Sequence, residues 1–126
     1  MRLGYVDQTL VGSGKFDKAA VFSAASDAVW AASPGFKVTL EEVQRLMHGY
    51  VDTIPLYAGG LHIGGENFQV IKANERSIYA KKGREGYCAV KTKTAIVLAH
   101  YPDTVDSDDA ATIVEKLAAY LVSIEY

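Results

Sequence analysis

The chain predicts an α/β (α+β) sandwich: one central antiparallel sheet with helices against both faces. Three observations carry that expectation. Between residues 66 and 101, four short β-branched and aromatic runs follow one another, separated by brief polar turns, which is the pattern of an antiparallel meander. The last run, Thr94-Ala95-Ile96-Val97-Leu98-Ala99, has no polar alternation, so both of its faces must be covered. Helical stripes precede and follow the meander and can supply that cover.

Each element has its own signal. Leu3, Val6 and Leu10 stand at i, i+3, i+7 and mark a first helix. Val11-Gly12-Ser13-Gly14 ends it, because glycine supplies backbone angles that other residues avoid. Residues 18–23 and 28–33 read as two strands around an Ala25-Ser26-Asp27 turn, with Trp30 in the second and Ser33-Pro34-Gly35 closing it. Thr39-Leu40-Glu41-Glu42 is a capping box, and Leu40, Val43, Leu46, Met47 and Tyr50 continue from it at helical spacing. Residues 52–60, with Pro55 and Gly59-Gly60, read as loop, and Leu61-His62-Ile63 as a short extended piece.

The meander follows. Phe68, Val70 and Ile71 lie in its first run, Ser77-Ile78-Tyr79 makes the second and Tyr87-Cys88-Ala89-Val90 the third. After the Tyr101-Pro102-Asp103 turn, Ser107 or Asp106 caps a final helix, with Asp108 and Asp109 in the first turn, where the helix dipole favours negative charge. Ala110, Ile113, Val114, Leu117, Leu121 and Ile124 form its apolar stripe. The two terminal helices are the natural cover for one sheet face and the middle helix for the other. Residues 1–126 are expected to form a single domain.

Composition narrows the function. A net charge of −2 argues against bulk nucleic-acid binding, which needs a basic footprint. The charge is nevertheless divided: residues 72–93 hold seven basic and two acidic side chains (+5), and residues 94–126 hold one lysine and six acids (−5). Such a split fits either separate charged surfaces or a plain solvated face. With a single cysteine there is no internal disulfide and no cysteine-rich metal site, and Cys88 in its apolar strand reads as a buried thiol. No apolar run approaches the roughly 18 residues of a membrane span, and the chain reads as cytosolic.

Catalytic motifs do not assemble. Gly12-Ser13-Gly14-Lys15 suggests a phosphate loop, but Thr9 occupies the position of its first glycine and Phe16 that of its final hydroxyl residue. His48, His62 and His100 contain no i, i+4 pair for zinc, and there is no Gly-x-Ser-x-Gly elbow. His100, after the buried strand, reads as a hydrogen-bonded structural histidine. The expectation is a protein that is not an enzyme, with no metal and no cofactor.

Several strings together resemble one family. Tyr5-Val6-Asp7, Leu10-Val11-Gly12-Ser13-Gly14-Lys15 and Asp17-Lys18-Ala19-Ala20 look like the opening of a profilin. Ala28-Val29-Trp30-Ala31-Ala32-Ser33 with Gly35-Phe36, and Glu75-Arg76-Ser77-Ile78-Tyr79, are similar to profilin segments too. His100-Tyr101-Pro102, Leu117-Ala118-Ala119-Tyr120-Leu121 and the closing Tyr126 resemble fungal profilins in particular. The likeness runs in order over essentially the whole chain. It implies a central antiparallel sheet with the N- and C-terminal helices on one face and smaller helices on the other.

The resemblance also implies partners: monomeric actin, bound one to one at its barbed-end face with faster nucleotide exchange and delivery to filament ends; proline-rich segments of formin-type proteins; and phosphoinositides at the membrane surface. By position, it places actin contacts at Val70, Lys72, Lys81, Lys82, Asp106, Thr112 and Lys116. It places the proline-rich site at Leu3, Tyr5, Trp30, Tyr120 and Tyr126, where a preformed polyproline helix docks among aromatic rings. Lys72, Arg76, Lys81, Lys82 and Arg84 form the basic group for phosphoinositides, unless they serve actin alone. The expected location is the cytoplasm and cytoskeleton.

This chain departs from the family in places. Position 72 is commonly arginine, position 112 lysine and position 108 glycine, against Lys72, Thr112 and Asp108 here. The usual Met-Ser-Trp-Gln-x-Tyr opening is Met1-Arg2-Leu3-Gly4-Tyr5, one residue shorter and without tryptophan, leaving Leu3 as the nearest substitute. An aromatic hot spot lost from such a groove costs about 2 kcal/mol, so weakened proline binding is expected. Two rival readings remain: an adaptor of this fold for proline-rich or lipid ligands with little actin binding, and a small enzyme on the same scaffold.

Overall fold

The computed structural model describes residues 8–24, 29–33, 36 and 38–125. Seven strands form one sheet: β1 (Lys18–Ser23), β2 (Val29–Ala32), β3 (Leu61–Ile63), β4 (Glu66–Ala73), β5 (Ser77–Lys82), β6 (Glu85–Lys91) and β7 (Ala95–Tyr101). The order across it is β2-β1-β7-β6-β5-β4-β3, and every neighbouring pair is antiparallel. The expected meander is therefore β4 to β7, extended by β1–β2 beside its last strand and by β3 beside its first.

Strand alternation builds two cores, one on each face. Ala20, Phe22, Ile78, Ala80, Tyr87, Ala89, Ile96 and Leu98 pack with Val43, Leu46 and Leu56. Their sequence neighbours Ala19, Val21, Cys88, Val90, Ala95, Val97 and Ala99 pack with Leu10, Ala110, Val114, Leu117 and Leu121. The uniform run is thus filled on both sides, and all seven residues of β7 are buried. The terminal helical segments cover one face and the middle helices the other, as the sequence predicts.

The middle helices are α1 (Leu40–Gly49) and α2 (Ile54–Gly59). In α1 the capping box is complete: Glu42 N–H donates to Thr39 Oγ1 at 3.2 Å, and Thr39 N–H donates to Glu42 Oε1 at 2.9 Å. The second helix corrects the loop expected over residues 52–60. Pro55 presets its first turn, Asp52 Oδ1 accepts from the Ile54 N–H, and Leu56 buries beneath it. The Tyr57 hydroxyl then reaches β4, accepting from the Ala73 N–H at 2.8 Å and lying 3.4 Å from its carbonyl.

The final helix, α3 (Ser107–Ser123), is capped by Asp106, whose side chain accepts from the Asp108 N–H. At the other end of the chain, Gln8–Leu10 is helical, Val11–Ser13 tightens to a 3-10 turn and Gly14 closes it at φ 78°. The rest of the expected first helix, with Leu3 and Val6, lies outside the described residues, as does the Ala25-Ser26-Asp27 turn. Among the described residues no helix is long and apolar enough to cross a membrane.

Candidate functional site

Helix α3 packs on β6 and β7 and separates two flanks. At 100° per residue, its buried residues Ala110, Val114, Leu117, Ala118 and Leu121 share one side. Ala111, Glu115 and Ala119 then border one flank, toward β5 and β4, and Ile113 and Tyr120 border the other.

On the β4–β5 flank, Ser77 Oγ donates to Glu115 Oε1 at 3.0 Å and fixes the helix against the sheet. Lys72 and Tyr79 are register partners, and the Lys72 ammonium lies 5.2 Å from the Tyr79 ring centre. Lys72, Tyr79, Thr112, Glu115 and Lys116 line a shallow groove of about 550 Å³. Burial first, then the negative field of Glu115, pushes the Tyr79 hydroxyl up to about 12, so it stays a neutral donor. Thr112 is exposed, but its hydroxyl donates to the Asp108 carbonyl at 2.8 Å.

Lys81 is shared by two further hollows. With Arg84, Asp103, Thr104, Asp106 and Ser107 it lines a hollow of about 370 Å³ at the start of α3. With Lys82, Val70, Asn67 and Tyr57 it lines another of about 480 Å³. Alternation puts Tyr79 and Lys81 on the α3 face and Ala80 and Lys82 on the α1 face, so Lys81 bridges them at the sheet end. Lys82 also pairs loosely with Glu66 at 3.8 Å. Five of the seven positions expected to touch actin thus lie on the α3 side of this flank, and Lys82 stands at the same sheet end on the α1 side. Val70 differs: it is only 6% exposed and belongs to the α1-side core, so it offers an edge rather than a side chain.

The five basic residues grouped for lipid divide. Lys81, Lys82 and Arg84 gather at the two-residue β5–β6 turn. Arg76 precedes the other end of β5, about 17 Å from Lys81 at 3.3 Å per residue. Sequence reasoning missed Tyr79, Glu115, Tyr57 and the half-exposed Ile71; the i−2 spacing of Tyr79 from Lys81 was the available signal for the first.

On the opposite flank, Trp30 sits in the edge strand β2, partly exposed and packed against the core that also holds Ile113 and Val11. Tyr120 is 46% exposed. Leu3, Tyr5 and Tyr126 lie outside the described residues. His100 belongs to neither flank. It is buried, with Nδ1 2.6 Å from Asp17 Oδ1 and Nε2 3.3 Å from Glu85 Oε1.

The profilin family model matches residues 3–126. The chain belongs to the profilin family. It is 43% identical to the profilin of Saccharomyces cerevisiae over 97% of this chain and 96% of that one. It is 44% identical to that of Schizosaccharomyces pombe over the same shares. The crystal structure of the fission-yeast profilin superimposes with a TM-score of 0.94 over 98% of each chain. More distant profilin folds include mouse profilin IIa, solved with a double repeat from the FH1 domain of mDia1 (20% identity, TM-score 0.78, 98% and 97% covered). LokiProfilin2, solved with rabbit actin, shares the fold at 14% identity (TM-score 0.78, 98% of each chain).

Proposed function

We propose that this profilin binds monomeric actin on the flank running from β4 and β5 to the first half of α3, and proline-rich segments on the flank holding Trp30 and Tyr120. The carrying observation is the grouping of Lys72, Thr112 and Lys116 in one groove, with Lys81 shared by the two further hollows that hold Lys82 and Asp106, while the partly exposed Trp30 and the exposed Tyr120 stand across the helix. The actin complex of LokiProfilin2 and the FH1 complex of mouse profilin IIa support the two partner classes. The protein works by binding and not by catalysis, in the cytoplasm and at the cytoskeleton. The buried His100 is held between two carboxylates as a structural tie.

Nucleotide exchange on actin monomers tests this. Wild type accelerates release of a fluorescent ATP analogue. A Lys81→Glu, Lys82→Glu double variant loses at least about tenfold in apparent affinity, because reversed charges meet a surface that complements lysine. Equal acceleration by the variant would overturn the assignment of this flank. The basic turn of Lys81, Lys82 and Arg84 also attracts phosphoinositide headgroups in this reading, and lipid then competes with actin and weakens with salt.

A further inference from the structure

We propose that Thr104 is a phosphorylation site whose phosphate folds onto Lys81 and Arg84, and that this switches off the actin-binding flank while leaving the proline-rich flank open. The effect on actin rests on the reading above; the site itself does not.

Three features meet at the hollow of about 370 Å³ that holds Lys81, Arg84, Asp103, Thr104, Asp106 and Ser107. The first is a pair of unpartnered cations. Among the described residues the Lys81 and Arg84 side chains make no ion pair and no hydrogen bond, whereas the adjacent Lys82 pairs with Glu66. Asp103 and Asp106 share the hollow without pairing with them, and the Asp106 carboxylate is committed to the Asp108 N–H at 2.8 Å. A phosphate is a stronger acceptor than either aspartate, because it carries more charge and its oxygens match the planar fork of Arg84.

The second feature is an available hydroxyl. Thr104 is exposed, lies outside every helix and strand, and sits in the turn that the Val105 N–H closes on the Pro102 carbonyl at 3.1 Å. Its hydroxyl makes no hydrogen bond among the described residues. An exposed turn can open into a kinase cleft without disturbing the core. Ser107, by contrast, is half-buried in the first turn of α3, so reaching it means unwinding the helix. The third feature is charge. Asp103, Asp106, Asp108 and Asp109 surround Thr104 in the chain, and no lysine or arginine lies between residues 94 and 115. That pattern suits a kinase with a basic substrate cleft and repels one with an acidic cleft.

In the reaction, Thr104 Oγ1 attacks the γ-phosphorus of a nucleoside triphosphate and the bond to the bridging oxygen breaks. Nucleoside diphosphate leaves, and the hydroxyl proton passes to the kinase's base. The hollow, balanced between two cations and two carboxylates, becomes negative by about 2 charges. Lys81 is drawn to the phosphate and away from actin. Trp30 and Tyr120, across α3, are untouched.

Incubation of the whole chain with ATP and an acid-directed Ser/Thr kinase tests the site, with mass spectrometry locating the phosphate on Thr104 and Thr104→Ala blocking its uptake. In protein carrying phosphothreonine at position 104, the phosphorus NMR signal titrates at lower pH than in the same protein with Arg84→Gln, because the guanidinium favours the dianion. The phosphorylated protein loses at least about tenfold in apparent affinity in actin nucleotide exchange, while decaproline titrates Trp30 fluorescence as before. The site is overturned if Thr104→Ala takes up as much phosphate as wild type, or if Arg84→Gln leaves the phosphorus titration unchanged. If wild type accelerates exchange and the phosphorylated protein matches it, the switch is overturned. A wild type without effect on actin overturns the actin reading and the switch with it, while uptake and phosphorus titration still decide the site.

Discussion

Gly86 faces Tyr101 across the β6–β7 ladder so closely that a methyl group on Gly86 would lie 2.5 Å from the Tyr101 hydroxyl oxygen and 2.4 Å from the Ala80 carbonyl oxygen. Tyr101 is 2% exposed, so its ring meets that methyl group inside the core. Gly86→Ala therefore costs about 2 kcal/mol through overpacking, measured by urea denaturation. Adding Tyr101→Phe recovers only part of the loss, because the Ala80 carbonyl is backbone and stays.

Alkaline pH destabilises the fold. Burial, then Glu115, pushes the Cys88 thiol from an ordinary 9.0 up to about 12. Burial, followed by nearby negative groups, likewise pushes Tyr79 and Tyr101 from 10.0 up to about 12. Below pH 9 these groups are protonated in both folded and unfolded chains and add no pH dependence. Above it the unfolded chain releases protons that the folded chain keeps, so stability falls as pH rises toward about 12. Denaturation midpoints measured from pH 7 to 11 should decline from about pH 9, and Cys88→Ala should flatten the first part of that decline.

The tie between His100 and Asp17 fastens the end of β7 to the residue before β1, and the Asp17 N–H also donates to the His100 carbonyl at 3.1 Å. Asp17 is half exposed, which limits the side chain's worth. Asp17→Asn is expected to cost about 1 kcal/mol, read as a lower thermal midpoint. Unchanged stability would show the contact to be energetically idle.

Proline binding is expected to be present but weak. Without the tryptophan near position 3, decaproline should titrate Trp30 fluorescence about thirtyfold more weakly than it titrates a profilin with the usual opening. Affinity equal to that profilin's would show that Leu3 and its neighbours replace the ring.

Much of the fold was legible because burial patterns are written in single segments. The uniform apolar run of β7 required cover on both faces, and the α3 stripe named the helix that supplies it. Helix α2 was not legible: it has six residues, and with Leu56 alone buried it shows no period. The candidate site was legible only as residue types. Counting lysines between residues 72 and 93 does not reveal that Lys81 and Lys82 face opposite sides or that Arg76 stands a strand's length away. Those are consequences of register, which local sequence sets weakly. Nor could Tyr79 and Glu115 be joined, since their contact spans the chain from β5 to α3.

Tyr57 carries a last consequence. Strand β3 protects β4 only as far as Phe68, leaving the stretch to Ala73 on the rim of the sheet. By occupying the amide and lying against the carbonyl of Ala73, the phenol of Tyr57 denies that rim to any foreign strand. A short helix with a single buried residue thus acts as a guard against edge-to-edge aggregation, on the side of the molecule where apolar Ile71 is open to solvent.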